Sequence, residues 1–204
     1  MILLTGGSGK FGTELQKHIE CYAPSKDIYN ILDPDIKTTE IDLVIHAAAY
    51  ANTKEAETNK AKCYDINVQG TINLLNAYEG IPFVYISSEY AFRPVNYYAQ
   101  TKVAAEAAVR SVDWPTLIIR TLFKPRPYPH EYAYVDQLTR GDYVDVIAKI
   151  VADEIKKWDR KESKVLHVGT ERKSIYQLAE MTKLGVKPNS VDDVVDYTVP
   201  KDYK

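Results

Sequence analysis

The sequence predicts an α/β protein built on a doubly wound parallel sheet. Two observations predict it. Short apolar runs alternate with amphipathic helical patterns from end to end, which is the signature of strand–helix–strand units with helices on both faces. The first apolar run passes directly into a glycine-rich turn and then into a helical pattern.

The elements follow in order. Residues 1–5 (Met-Ile-Leu-Leu-Thr) are short, apolar and ended by glycine, as a buried strand is. Residues 13–22 form an amphipathic helix with Leu15, Ile19 and Tyr22 on one face. Residues 27–32 read as a second, weaker strand closed by Asp33-Pro34-Asp35, and residues 42–46 as a third. A helical stretch covers 54–78, with a break near 58–60. The fourth strand is 82–87, followed by an alanine-rich helix at 97–109 and a fifth strand at 115–120. Residues 144–158 carry a stripe of Val146, Ile147, Ile150, Val151 and Ile155. A sixth strand at 164–168 and a helix at 174–184 complete the series. Residues 121–130 hold three prolines and read as a loop. The tail, 187–204, is polar and poorly patterned.

Composition narrows the function. The 204 residues suit one domain, or one with a small appendage, and 45% hydrophobic with 26% charged residues is ordinary for a globular protein. Lys plus Arg is 26 and Asp plus Glu is 28. That balance argues against a bulk electrostatic grip on a nucleic acid polymer or an anionic membrane. No apolar run approaches the length that spans a bilayer, and the first strand lacks the charged leader of a signal peptide. Two cysteines, Cys21 and Cys63, do not make a disulfide framework, no Cys/His cluster has zinc spacing, and no metal site is expected. The cytoplasm is the expected location.

Thr5-Gly6-Gly7-Ser8-Gly9-Lys10-Phe11-Gly12 lies between the first strand and first helix, as a dinucleotide-binding turn requires. Gly6 allows the tight turn, Gly9 lets backbone N–H groups approach a pyrophosphate, and Gly12 lets the helix pack close. An acidic residue at the end of the second strand would hold ribose hydroxyls and favour NAD. Asp27 and Asp33 bracket that position, with Asp33 the candidate. Lys10 either meets a 2′-phosphate and favours NADP or is simply solvated.

Tyr98 and Lys102 are four residues apart on one helix face. A phenol ordinarily ionises near pH 10, and an ammonium one turn away, with an oxidised nicotinamide ring, favours its phenolate. Such a phenol passes a proton to a carbonyl oxygen as hydride reaches the carbon. Tyr97, the competing tyrosine, has Thr101 at the same spacing and gains no charge from it. Ser88, at the carboxyl end of the fourth strand, is positioned to donate a hydrogen bond to that oxygen, with Ser87 the second choice.

These residues resemble those of the extended short-chain dehydrogenase/reductases. The glycine turn, His46-Ala47-Ala48-Ala49-Tyr50, Asp65-Ile66-Asn67-Val68, Ser87-Ser88-Glu89-Tyr90, Tyr98 to Lys102 and Arg120-Thr121 occur in that family's order. Within it the chain most resembles the dTDP-4-dehydrorhamnose reductases. Ala56-Glu57, Ser88-Glu89-Tyr90, Arg120-Thr121-Leu122-Phe123 and Asp136-Gln137 match their Ala-Glu, Thr-Asp-Tyr, Arg-Thr-Ser-Trp and Asp-Gln.

The resemblance implies a Rossmann-type domain over 1–204. Residues about 121–143 and 169–204 would form a reduced, substrate-side lobe. It implies catalysis by Ser88, Tyr98 and Lys102, with Asn67 ordering water near the lysine or making only local hydrogen bonds. The cofactor, NADP or NAD, would lie against Gly6, Gly9, Lys10, Phe11, Gly12, Asp33, Ala47, Ala48, Ala49, Ser87, Tyr98 and Lys102. The substrate, a nucleotide-linked 4-keto-6-deoxy sugar, would meet Ser88, Glu89, Tyr90 and Phe123. A homodimer through the helices at 54–78 and 97–109 is an analogy from the same family.

The chain also departs from the family. Members usually run several dozen residues longer, with the missing material in the second βα unit and between Phe123 and Asp136. Phe123 replaces a tryptophan near the substrate, and Lys54 stands where the family usually has Asp. Two other functions fit the same motifs: a sugar-nucleotide epimerase, and a non-catalytic NAD(P)-binding regulatory subunit. Glu89 is followed by Tyr90 rather than a second carboxylate, which disfavours a 4,6-dehydratase. His18, His46, His130 and His167 share no ligand spacing, and His46 is expected to be structural.

Overall fold

The computed structural model describes residues 1–38 and 40–191. The elements run β1 (Ile2–Thr5), α1 (Lys10–Leu15), β2 (Leu43–His46), α2 (Thr53–Thr58), α3 (Lys60–Tyr64), a π-turn (Asp65–Gln69) and α4 (Gly70–Ala77). They continue with β3 (Phe83–Ser88), a 3₁₀ turn (Glu89–Phe92), α5 (Tyr97–Arg110), β4 (Thr116–Thr121), β5 (Phe123–Lys124), β6 (Tyr132–Tyr134), β7 (Leu138–Thr139) and β8 (Asp142–Tyr143). The last are α6 (Val144–Lys157), β9 (Lys164–His167), β10 (Lys173–Ser174), α7 (Ile175–Glu180) and β11 (Lys187–Asn189).

The main sheet is parallel, in the order β1-β2-β3-β4-β9. Its strands are near-continuous apolar runs because both faces are covered. On one face Leu4, Leu43, Ile45, Val84, Ile86, Leu117 and Ile119 pack under α1 and α6, against Leu15, Ile147 and Val151. On the other, Leu3, Val44, Phe83, Tyr85 and Ile118 pack against Leu74 of α4 and Ala105 and Val109 of α5. A third cluster lies outside the sheet. Tyr90, Ala99, Leu122, Tyr128, Ala133, Tyr143, Ile175 and Leu178 join α5 to the short strands and α7. The tail at 192–204 lies outside the described residues.

The expected second strand, 27–32, does not form. Ile28 N–H and Tyr29 N–H both bond to Ser25 O, and Asp33 N–H to Asn30 O, so the segment is a run of turns. Asn30 and Asp33 carboxamide and carboxylate oxygens accept from the N–H groups of Leu32 and Asp35, competing with any ladder. Tyr29, Ile31, Ile36 and Ile41 are buried against the second core cluster instead. The sheet edge is closed by one bridge: Tyr22 N–H donates to Ile2 O, and Leu4 N–H to Tyr22 O, at 2.8 Å each. Tyr22 is therefore extended rather than helical. The chain leaves β1 on this side and returns on the other as β2, so β1 flanks the switch point where such sheets bind ligands.

α1 starts earlier and ends earlier than the pattern suggested. Gly9 is its extended N-cap, and the Gln16 carboxamide turns back to donate to Gly7 O and Gly12 O. The helical stretch after β2 breaks at Asn59, within the expected interval, and passes through the π-turn before α4. α7 is shorter than expected, opened by a capping box between Ser174 and Gln177. No helix among the described residues is long and apolar enough to cross a membrane.

Candidate active site

The glycine turn is shaped by close packing. Gly6 has φ +76°, and a Cβ there would stand 2.6 Å from Ala48 N. A Cβ on Gly12 would stand 2.3 Å from Gly6 O and 2.7 Å from Gly7 Cα. Only glycine fits at these two positions, so the turn folds tightly beside the Ala47–Ala49 segment after β2. A cleft of about 430 Å³ opens there, lined by Gly6, Gly9, Ala47, Ala48 and Ala49 as expected. Tyr29, Ile31 and Lys26 from the turn-rich segment line it too. Sequence reading missed them because it made that segment a strand.

The other expected cofactor residues, Lys10, Phe11, Gly12, Asp33, Ser87, Tyr98 and Lys102, are not among those lining that cleft. Lys10 is exposed at the start of α1. Phe11 is buried under the turn and stacks on Phe123, with ring centroids 5.2 Å apart. Asp33 faces solvent in its own turn, its carboxylate accepting from Asp35 N–H, and is not among the cleft-lining residues.

The catalytic candidates gather at the carboxyl end of β3. Alternation along β3 separates the two serines. Ser88 Oγ accepts from Tyr90 N–H at 3.1 Å and lies near enough to the Tyr98 phenol to pull its pKa down. Ser87 points the other way and donates to Glu106 Oε1 at 2.6 Å. There Arg120 holds the Glu106 carboxylate through two hydrogen bonds, 2.9 Å to Oε1 and 2.6 Å to Oε2. Ser87 therefore belongs to a buried ion pair and not to the crevice. Arg120 pulls the Glu106 carboxyl below the usual range, against the upward push of burial.

Tyr98 is half-buried and Lys102 is 2% exposed. The expected effect of the lysine on the phenol is absent. Burial pushes the Tyr98 phenol up to about 12, with the Ser88 hydroxyl pulling the other way. Lys102 Nζ instead donates to Ile86 O at 2.7 Å and lies 4.2 Å from the Tyr85 ring centroid. Burial lowers its ammonium to about 7, partly offset by Glu106. Tyr97 is turned to α2 and α3, where its N–H donates to Glu57 and its ring meets Lys60.

Asn67 sits in the π-turn and is 1% exposed. Its Oδ1 accepts from Tyr50 N–H at 2.7 Å, and its Nδ2 donates to Thr101 Oγ1 at 2.9 Å, next to Lys102. Its carbonyl accepts from Thr71. The side chain thus fixes α5 to the loop after β2. His46 is structural: it bridges Thr5 and Thr71, and burial lowers its pKa to about 3, so it is neutral.

Two expected substrate residues are placed otherwise. Glu89 is 0% exposed and accepts from Thr139 Oγ1 (2.5 Å), Arg140 N–H (3.1 Å) and His167 Nε2 (2.7 Å). It ties the 3₁₀ turn to β7 and β9 and presents no oxygen to a substrate. Phe123, stacked on Phe11, lines neither cleft. Tyr90 does line a second cleft of about 580 Å³, and its ring packs edge-on to Tyr98. Lys54, Lys124, Tyr128, His130 and Gln137 line it too. Among the described residues no cluster of three His, Cys, Asp or Glu side chains could hold a metal.

Residues 1–124 match the family model described as RmlD substrate binding domain. The chain belongs to that family. The inverting UDP-N-acetylglucosamine 4,6-dehydratase of Campylobacter jejuni is 31% identical over 137 residues, 52% of this chain and 41% of that protein. The dTDP-4-dehydrorhamnose reductase of Mycobacterium tuberculosis is 26% identical over 148 residues, 59% of this chain and 49% of that protein. The chain thus matches two-fifths to a half of the length of these curated relatives. A solved dTDP-4-dehydrorhamnose reductase from Bacillus anthracis, in complex with NADP, superposes with a TM-score of 0.78 at 23% identity, covering 94% of this chain and 84% of that one. The likeness shows the shared fold: the parallel sheet, doubly wound, is common to this family member and that enzyme.

Proposed function

We propose that the protein is an NADPH-dependent reductase of a nucleotide-linked 4-keto-6-deoxy sugar. The observation that carries this reading is the placement of Ser88 at the end of β3 beside Tyr98 of α5, with Lys102 one helical turn further along the same helix. The structure fits a dinucleotide on its own terms. The glycine cradle excludes any side chain at Gly6 and Gly12. No carboxylate is among the cleft-lining residues, whereas Lys26 is, which favours a 2′-phosphate and hence NADP over NAD.

When bound, NADPH supplies hydride to the carbonyl carbon. Ser88 donates a hydrogen bond to the carbonyl oxygen as its charge grows. Tyr98, un-ionised at neutral pH, gives that oxygen its proton and recovers one from solvent. Lys102 lies one helical turn from Tyr98 on α5, its amine held on the carbonyl oxygen of Ile86 over the Tyr85 ring. The short strands, α7 and the second cleft form the substrate-side lobe.

The kinship to a 4,6-dehydratase is weighed against Glu89. Dehydration needs a carboxyl group free to exchange protons with the sugar, and Glu89 spends its oxygens on three internal donors. The test is consumption of nicotinamide absorbance with dTDP-4-keto-6-deoxy sugar. Tyr98→Phe is expected to lower turnover by roughly 10²–10⁴-fold while NADPH still binds. Turnover that survives Tyr98→Phe would overturn the mechanism.

A further inference from the structure

Among the described residues, the second cleft is lined by an ammonium group, that of Lys124, with no anion against it. β5 is two residues long, and alternation sends its side chains to opposite sides. Phe123 goes to Phe11, and Lys124 lines the cleft. Lys124 has no hydrogen-bond or ionic partner among the described residues, although it is only half-exposed. Burial alone lowers its ammonium below the usual lysine range. An unpaired, partly desolvated ammonium is costly to keep unless something anionic pairs with it.

Lys54 and His130 line the same cleft. His130 records how the charges converge. Its pKa is lowered by burial first, then by Lys124, Lys183, Lys10 and Lys54. The acid in the lining, Glu131, is already paired with Lys187 at 2.6 Å. Four ammonium groups thus bear on one side chain, and they come from α1, α2, β5 and the turn after α7.

We propose that Lys124, with Lys54 and His130, forms an anion subsite that takes the phosphoryl oxygens of a diphosphate. This assignment rests on the reductase reading, because it places the linker of a nucleotide-linked substrate in that cleft. Two ammonium groups lining one opening, with the N–H of a neutral His130 beside them, suit a group with two or more negative charges better than a single carboxylate. Tyrosines 128, 132 and 134 on the same walls offer flat faces to the rings on either side of such a linker. The cleft volume of about 580 Å³ is that of a small-molecule site.

The test is calorimetric titration of the full chain with inorganic pyrophosphate, with glucuronate as a single-carboxylate probe. A site that weakens about tenfold in Lys124→Gln is expected, with Lys124→Arg within about threefold of the parent. Lys54→Gln is expected to weaken it less. Equal melting temperatures of parent and variants confirm intact folding. Any pyrophosphate bound at the glycine turn persists in all variants as a separate, Lys124-independent site. Pyrophosphate affinity unchanged in Lys124→Gln would overturn the proposal, as would Lys124-dependent binding of glucuronate but not pyrophosphate. NADPH binding, followed by nicotinamide fluorescence, separates the two readings. If NADPH does not bind the parent while the Lys124-dependent site persists, the reductase reading fails and the anion subsite stands.

Discussion

Lys102 Nζ donates to the carbonyl oxygen of Ile86, two residues before Ser88 on the same strand. The amine is thereby held inside the fold, over the Tyr85 ring, and burial sets its ionisation near neutrality. The sign of the consequence is fixed. A lysine whose folded pKa is about 7, against about 10.4 unfolded, binds its proton less readily in the folded state. The native chain loses stability as pH falls from about 10.4 to about 7 and no further below. Lys102→Met removes that penalty. The variant is expected to melt higher than the parent at pH 6, by an amount that shrinks toward pH 10, while losing reductase turnover. An equal shift at both pH values would refute the buried-ammonium account.

Tyr98 offers a second titration. Its phenol, pushed up to about 12, is expected to remain un-ionised at pH 10, where a free tyrosine is half ionised. A ¹³C-labelled tyrosine resonance that vanishes in Tyr98→Phe should show no midpoint up to that pH. Ketone reduction should accordingly keep its proton donor across the neutral and mildly alkaline range. A midpoint at or below 10 in the ligand-free chain would contradict the geometry.

Two glycines with nearly the same φ separate strain from crowding. Gly6 (+76°) would put a Cβ 2.6 Å from Ala48 N, whereas Gly80 (+77°) would meet nothing within 4 Å. Gly80→Ala is expected to cost about 1–2 kcal/mol and to leave NADPH affinity unchanged. Gly6→Ala should cost more and lose cofactor binding. Denaturant midpoints and nicotinamide fluorescence measure the two effects, and matching losses in both variants would refute the cradle.

Glu89 is a third point of leverage. Glu89→Gln keeps the shape but leaves one of three donors facing an amide N–H₂. A loss of about 1–3 kcal/mol is expected, with faster proteolytic cleavage between β5 and β8. If the proteolysis pattern is unchanged, the carboxylate does not tie the turn to β7 and β9.

The sheet, its helices and the glycine turn were legible because each is written in local periodicity and spacing. β1, α5 and α6 lie within a residue or two of their expected bounds. The positions of Ser88 at the end of β3 and of Tyr98 and Lys102 one turn apart on α5 were legible for the same reason. Glu89, Ser87 and Phe123 were not, because their partners are distant. Thr139, Glu106 and Phe11 lie 50, 19 and 112 residues away, and no spacing rule announces them. Lys124 was hidden in a proline-rich stretch read as loop, where a two-residue strand leaves no periodic trace. The segment 27–32 misled because its apolar residues do enter the core, but from turns.

The single bridge at Tyr22 leaves the outer border of the sheet nearly bare of strand. The wall beyond Gly6 and Gly9 is instead a wrapped length of chain between Ala23 and Ile41, held to the core by a few side chains. Such a wall is modular. A complete strand–helix unit from a longer relative, spliced between those two residues, would extend the sheet outward without disturbing Ser88 or Tyr98. Dinucleotide preference in this protein would then be exchangeable as a cassette.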